Sequence, residues 1–264
     1  MKKKVFYAII AIAIIFAAVV AVVILKSQNT SNTTFTSTPV SAFELQQLRA
    51  VANNNTLAES VLVGSASNFP TQLAATPLII NGSPAVFYAG ADYCPYCAVT
   101  RWGLILALMR FGNFTNLHYM ISSGTDVDPN TPTFTFYNSS YTSPYLAFLG
   151  VEYQTRSGAL LQNFTPLETN IMDHFNGPPK GGFPFIDFGN ISMQSGAEAS
   201  PLLLANSNWT QITAMLNDPH SPVSQAIIGS ADVFTAQMCM MTNNTPASVC
   251  KQQYAENTEK FLSG

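Results

Sequence analysis

Charge is scarce in this sequence. Lysine, arginine, aspartate and glutamate make up 9% of its 264 residues, and the formal net charge is −3. Nucleic-acid binding needs clustered Lys and Arg, so the composition argues against a nucleic-acid partner. Serine, threonine and asparagine carry the polar role instead, and a surface built that way does not depend on ionised carboxylates. Internal repeats are absent. Cysteine is sparse too: the four fall as Cys94 with Cys97 and Cys239 with Cys250, and spacing alone does not prove their pairing. What is plentiful is apolar material, 47% of the chain, ample for a core in one or two domains.

Compartment decides how readily cysteines pair. Residues Val5 to Leu25 contain no charge and no proline. As a helix rising about 1.5 Å per residue they would span roughly 30 Å, the thickness of a bilayer core. Lys2, Lys3 and Lys4 precede the run and Lys26 follows it. The heavier positive cluster predicts a cytoplasmic N-terminus and an extracytoplasmic C-terminal bulk. A cleavable signal peptide would have a shorter apolar stretch and a small-residue cleavage site, which Leu25-Lys26-Ser27-Gln28 does not offer. Residues 1–26 are therefore expected to be a retained transmembrane anchor, touching lipid through residues 5–25. Asn-X-Ser/Thr acceptors begin at Asn29, Asn32, Asn54, Asn81, Asn113, Asn138, Asn163, Asn190, Asn208 and Asn243. They fit an exported glycoprotein, or reflect only the abundance of Asn, Ser and Thr.

Residues 27–41 read as a flexible stalk. A helix is expected from Ala42 to Ala52 and a short strand from Val61 to Val63. Leu78-Ile79-Ile80, the turn signal Asn81-Gly82 and the run Pro84 to Ala89 read as an entry into a buried strand. Cys94 to Arg110 reads as a helix apolar almost all round, hence buried, with Gly112 as its stop. Leu117 to Ile121 is expected as the next strand, parallel to the first through a crossover. Pro166 to Phe175 is a possible helix. Phe183 to Phe188 reads as a strand entered through Pro184, with Ile191 to Gln194 as its hairpin partner. Asn208 should cap a helix carrying Trp209, Ile212, Met215 and Leu216 on one face, and Ser221-Pro222 should start another.

Cys94-Pro95-Tyr96-Cys97 sits where the strand gives way to the helix. One turn separates the two cysteines, so their sulfurs can meet. The first sulfur lies over unpaired N–H groups at the positive end of the helix, which stabilises a thiolate. Cys94 is thus the expected exposed nucleophile and Cys97 the resolving partner. Three other readings compete: half of a zinc site, for which Cys239 and Cys250 form a poor second pair; an inert disulfide; and a copper site recruiting His118, His174 or His220.

Cys-Pro-Tyr-Cys at a strand-to-helix junction, followed by Gly182-Phe183-Pro184, resembles the thioredoxin superfamily; glutaredoxins share the four-residue motif. Taken with Thr133 to Tyr137, Ser140 to Tyr145 and the Cys239…Cys250 tail, the chain looks like an uncharacterised, mainly archaeal, membrane-anchored thioredoxin-like family. The resemblance covers roughly Pro77 to Cys250. It implies an α/β fold with a mixed sheet flanked by helices, spanning 42–264. It also implies a cis Pro184 facing the dithiol, with Phe183, Tyr93 and Tyr96 touching a client. No cofactor is implied. The partners would be exported proteins with cysteines and an unidentified redox partner. Residues 124–180 exceed the plain thioredoxin connection and read as an insertion ahead of the Pro184 strand.

The sequence also departs from thioredoxin. The buried acid six positions before the first cysteine is replaced by Tyr88, and Tyr93 replaces the usual tryptophan. Asp92 could oppose a Cys94 thiolate and Arg101 favour it, or both are solvated or paired with each other. Cys239 and Cys250 are expected to form a structural disulfide closing the Thr242–Val249 loop, with a second redox pair as the alternative. The expectation is an extracytoplasmic thiol–disulfide oxidoreductase that oxidises, isomerises or reduces exported proteins. Its rivals are a non-catalytic adhesive or assembly module and a copper-delivery protein.

Overall fold

The computed structural model describes residues 37–177 and 181–264. The expected anchor, and the stalk up to residue 36, lie outside them. Among the described residues no helix is long and apolar enough to cross a membrane. The expectation of a single-pass membrane protein, with lipid contact through residues 5–25 and an extracytoplasmic domain, is corrected on that finding. The end of the expected stalk is tied down rather than loose: Val40 N–H donates to Leu117 O (2.8 Å) and Tyr119 N–H to Thr38 O (2.9 Å).

Residues 37–264 form one unit. It begins with helices α1 (Ala42–Ala52), capped by Ser41, and α2 (Asn55–Val61), capped by Asn54. The short strand expected at Val61 to Val63 is absent there. Leu57, Ala58 and Val61 instead fall on one buried helical face, and Leu62 ends the helix in a left-handed conformation (φ 53°).

The central sheet is built on β3 (Ser83–Gly90). Residues 85–89 are completely buried, as a strand covered on both faces must be, and such strands read as continuous apolar runs. Successive side chains point to opposite faces. Val86 and Tyr88 join the main core with α3 (Pro95–Phe111) and α6 (Pro222–Met241). Ala85, Phe87 and Ala89 pack on the other face against α4 (Pro166–Phe175) through Ile171 and Met172. The result is a three-layer α/β arrangement.

The sheet is mixed. The short β2 (Ile79–Ile80) pairs antiparallel with the start of β3. β8 (Ala147–Glu152) runs parallel to β3, with Ala85 opposite Ala147 and Gly90 opposite Glu152. On the other side β9 (Phe185–Phe188) is antiparallel to β3, followed by β10 (Ser192–Ser195) and the two-residue β1 (Thr71–Gln72). The parallel neighbour of β3 is therefore not the expected 117–121 segment. That segment, β5 (His118–Ile121), pairs antiparallel with β6 (Pro132–Thr135) in a separate two-stranded ribbon. β4 (Asn113–Thr115) and β7 (Ser140–Thr142) form a second ribbon. The reason lies in polarity. His118 and Tyr119 carry polar groups and suit a ribbon, whereas Leu146 to Val151 is an unbroken apolar run, half-buried from Ala147 to Gly150, that suits the place beside β3. The 124–180 stretch contributes β6 to β8 and α4, and its β8 joins the central sheet.

α3 is the pivot of the unit. Of its seventeen residues all but Tyr96 are buried, which its all-round apolar sequence requires. Gly103 permits the approach of α6: a Cβ there would sit 2.9 Å from Ser230 Cβ. Near its far end, buried Arg110 pairs with Asp232 (2.7 Å) and donates to Ala52 O and Thr235 Oγ1, joining α3 to α1 and α6. The C-terminal part is α5 (Trp209–Leu216), α6, α7 (Ala247–Cys250) and α8 (Gln253–Leu262).

Candidate functional site

The site lies where β3 hands over to α3. Gly90 ends the strand, Ala91-Asp92-Tyr93 turn the chain, and Cys94 is the N-cap of α3 with Pro95 at its first position, where a missing N–H costs nothing. Cys94 Sγ accepts the Cys97 N–H at 3.1 Å. Both cysteines are free thiols. The hydrogen bond from the Cys97 side chain leads in holding the Cys94 thiol below its ordinary value against the opposing effect of burial. The Cys97 N–H, the Arg101 guanidinium and the Tyr96 N–H add to it. Cys97 is pushed well above its ordinary value, first by burial and then by the Cys94 sulfur, with Arg101 working the other way. The division into a low first thiol and a high second one follows from depth along one helix turn.

Accessibility differs from expectation. Cys94, expected to be exposed, is 7% exposed and Cys97 is 0%. Tyr93 and Phe183 pack on the cluster of Ala91, Cys94 and Cys97. The Phe183–Pro184 peptide is cis, and Pro184 O accepts from Gly196 N–H (2.8 Å), fixing the loop that carries Phe183 beside the sulfurs. Tyr96, between the cysteines, projects outward at 43% exposed. Thus Cys94, Cys97, Tyr93 and Phe183 come together in one apolar cluster, with Pro184 and Tyr96 adjoining them in sequence.

Behind the sulfurs lies a buried polar cluster. Arg101 is not solvated: its Nε and one terminal nitrogen grip both oxygens of Glu152 (2.8 and 2.6 Å), and that nitrogen also donates to Ala91 O (2.7 Å). Asp92 stands 3.9 Å from the same guanidinium, so the expected pairing of Arg101 with Asp92 is secondary to Glu152. Burial, and then the Glu152 charge, raise Asp92 to about 7 against the pull of Arg101 and a hydrogen bond with Thr135. Tyr88 occupies the position of the missing acid. Its hydroxyl has no hydrogen-bond partner and its pKa is raised by burial. Gly90 makes room for it, since a Cβ there would meet Tyr88 Oη at 2.1 Å. Glu152 was not singled out from the sequence. Its signal is a lone acid closing an otherwise apolar run, and such an acid needs a buried cation. Removing one partner of a pair this deep costs about 3–5 kcal/mol.

A groove of about 700 Å³ adjoins the dithiol, lined in part by Tyr96, Phe183, Gly196, Glu198 and Leu203. Glu198 is buried; its Oε2 accepts from Thr100 Oγ1 (2.8 Å) and Gln194 Nε2 (3.2 Å). Burial raises it to about 7. This second buried acid also went unremarked in the sequence.

The remaining expected residues lie apart. His118 is on β5, His174 on α4 and His220 just ahead of α6, and no group of three His, Cys, Asp or Glu side chains among the described residues could hold a metal ion. Cys239 and Cys250 are joined in a disulfide with Cα atoms 5.4 Å apart, both buried. Of the Asn-X-Ser/Thr acceptors, Asn54 and Asn208 use their side chains as helix caps.

A family model described as a domain of unknown function (DUF929) matches residues 70–180. That segment runs from β1 through α4 and carries the dithiol, Asp92, Arg101 and Glu152, but neither Pro184 nor Glu198. No curated protein and no solved structure matches the chain.

Proposed function

We propose that the chain is a thioredoxin-like thiol–disulfide oxidoreductase whose reacting groups are Cys94 and Cys97 and whose partners are client proteins with cysteines and a separate redox partner. The observation that carries this reading is the cap geometry. Cys94 Sγ takes a helix N–H and has a lowered pKa, while Cys97, one turn deeper, has a raised one. A nucleophile and a resolving thiol need that asymmetry. The order of elements supports the fold assignment: a strand, the dithiol helix, a parallel strand, a helix, then an antiparallel hairpin entered through Pro184. In this reading Phe183, Tyr93 and Tyr96 border the client.

The near-complete cover of Cys94 favours a second reading, a non-catalytic adhesive or assembly module that keeps the fold and its disulfide for stability. One experiment separates the two. Cys97→Ser leaves a mixed disulfide at Cys94 that cannot be released intramolecularly. On non-reducing gels with mass spectrometry, adducts on this variant and none on Cys94→Ser support the enzyme. No adduct, together with no exchange between the unmutated protein and a disulfide peptide, supports the assembly module.

A further inference from the structure

Resting on the oxidoreductase reading, we propose that Arg101 is a positioning residue that stabilises the reduced dithiol as a Cys94 thiolate, and so makes Cys94–Cys97 a donor of disulfides to clients rather than a reductant. Arg101 is one helix turn beyond Cys97, wholly buried, and rigidly held by Glu152 and the Ala91 carbonyl. Its other terminal nitrogen has no hydrogen-bond partner, and Arg101 lies four residues after Cys97 and seven after Cys94, on the same side of α3. Its attraction reaches both cysteine sulfurs. Glu152 raises Asp92 and Tyr88. Asp92 trims the effect: when ionised it draws on the same guanidinium. The groups facing this centre are Tyr88 on β3, Cys97 and Arg101 on α3, Glu152 on β8, Thr135 on β6, and Asp92 and Tyr93 in the turn.

A dithiol whose reduced form is stabilised is the stronger oxidant. In the forward step a client thiolate attacks Cys94 Sγ, the Cys94–Cys97 bond breaks and Cys97 takes up a proton. A second client thiolate then attacks the client sulfur of the mixed disulfide, and Cys94 leaves as the thiolate. The client, entering as a dithiol, loses two electrons and two protons; the pair gains the electrons, Cys97 keeps one proton and the other goes to solvent.

The test uses the full-length protein and three variants: Arg101→Met with Glu152→Leu, which replaces the ion pair by apolar groups of similar size; Arg101→Lys; and Asp92→Asn. The readouts are the pH profile of Cys94 alkylation by iodoacetamide and the equilibrium with reduced and oxidised glutathione. Removing the ion pair should slow alkylation at pH 6 about tenfold, the effect of one pKa unit, and shift the glutathione equilibrium about tenfold towards the disulfide. Arg101→Lys should recover part of both. Asp92→Asn should move the alkylation step to lower pH. Should the double variant not fold, Arg101→Gln with Glu152→Gln, which removes both charges and keeps polar groups in both places, takes its place. Profiles and equilibria unchanged in every folded variant overturn the inference. Oxidised protein that fails to oxidise a reduced dithiol peptide while reduced protein reduces a disulfide peptide overturns the direction alone. Shifts as expected, with no exchange in either direction, overturn the oxidoreductase reading and leave the charge effect standing.

Discussion

Glu198→Gln isolates the energetic consequence of burying an acid without a cation. Glu198 titrates at about 7 in the fold against an ordinary 4.5. Below 4.5 both folded and unfolded chains carry the proton, and stability does not depend on this group. Between 4.5 and 7 the unfolded chain releases the proton while the fold retains it, so stability falls as pH rises, and above 7 the loss is complete. A shift of about 2.5 units at 1.36 kcal/mol each gives a loss of about 3 kcal/mol. Glutamine keeps an oxygen for the Thr100 hydroxyl and cannot ionise. Wild type and Glu198→Gln should therefore be of similar stability at pH 4.5, and the variant should be more stable by up to about 3 kcal/mol at pH 8. Urea unfolding followed by circular dichroism at both pH values measures this. Asp92 and Asp187 are raised in the same direction but are common to both proteins and cancel in the difference. A wild-type-minus-variant gap that is the same at pH 4.5 and pH 8 would refute the reasoning.

Three further outcomes are expected. Gly229→Ala places a Cβ 2.4 Å from Val63 O, a backbone atom; the crowding, about 1–3 kcal/mol, should outweigh the roughly 1 kcal/mol of helix propensity gained, and thermal unfolding should show a lower Tm. Asn208→Ala dismantles the two-way cap with Gln211 at the start of α5 and should cost about 1 kcal/mol in chemical denaturation; no change would mean the helix is held by packing alone. After oxidation of the dithiol, mild reductant should open Cys94–Cys97 before Cys239–Cys250, because Cys94 is 7% exposed against 1% for both Cys239 and Cys250. Timed alkylation with peptide mapping checks the order, and simultaneous opening would contradict it.

Local signals were legible where they were self-contained. The Asn208 cap and Ser221-Pro222 marked their helices, the apolar spacing marked the helix at 42–52, and the motif itself announced the β3–α3 junction. Pairing was not legible in the same way. β5 was expected beside β3 because it follows α3 directly, yet the parallel partner is β8, an apolar run that lies more than thirty residues on from α3. The same limit applies to the site. Cys94, Cys97 and Phe183 could be named from motif order, whereas Glu152 and Glu198 gain meaning only once the sheet brings one under Arg101 and α3 brings Thr100 to the other. Arg101 itself reads as a surface residue until every neighbour on its helix is seen to be buried.

Because α3 is enclosed by core along nearly its whole length and moored near its far end through Arg110, it behaves as a fixed post about 25 Å long with the sulfurs at its tip. Making or breaking a bond between those sulfurs, or with a client, leaves such a post nowhere to travel. The accommodation falls instead on the two rings packed on the sulfurs, Tyr93 and Phe183, since their backbones are held as well, Tyr93 O by Ser123 N–H (2.8 Å) and Pro184 O by Gly196 N–H (2.8 Å). The backbone of α3 should superpose between oxidised and reduced protein while those rings turn.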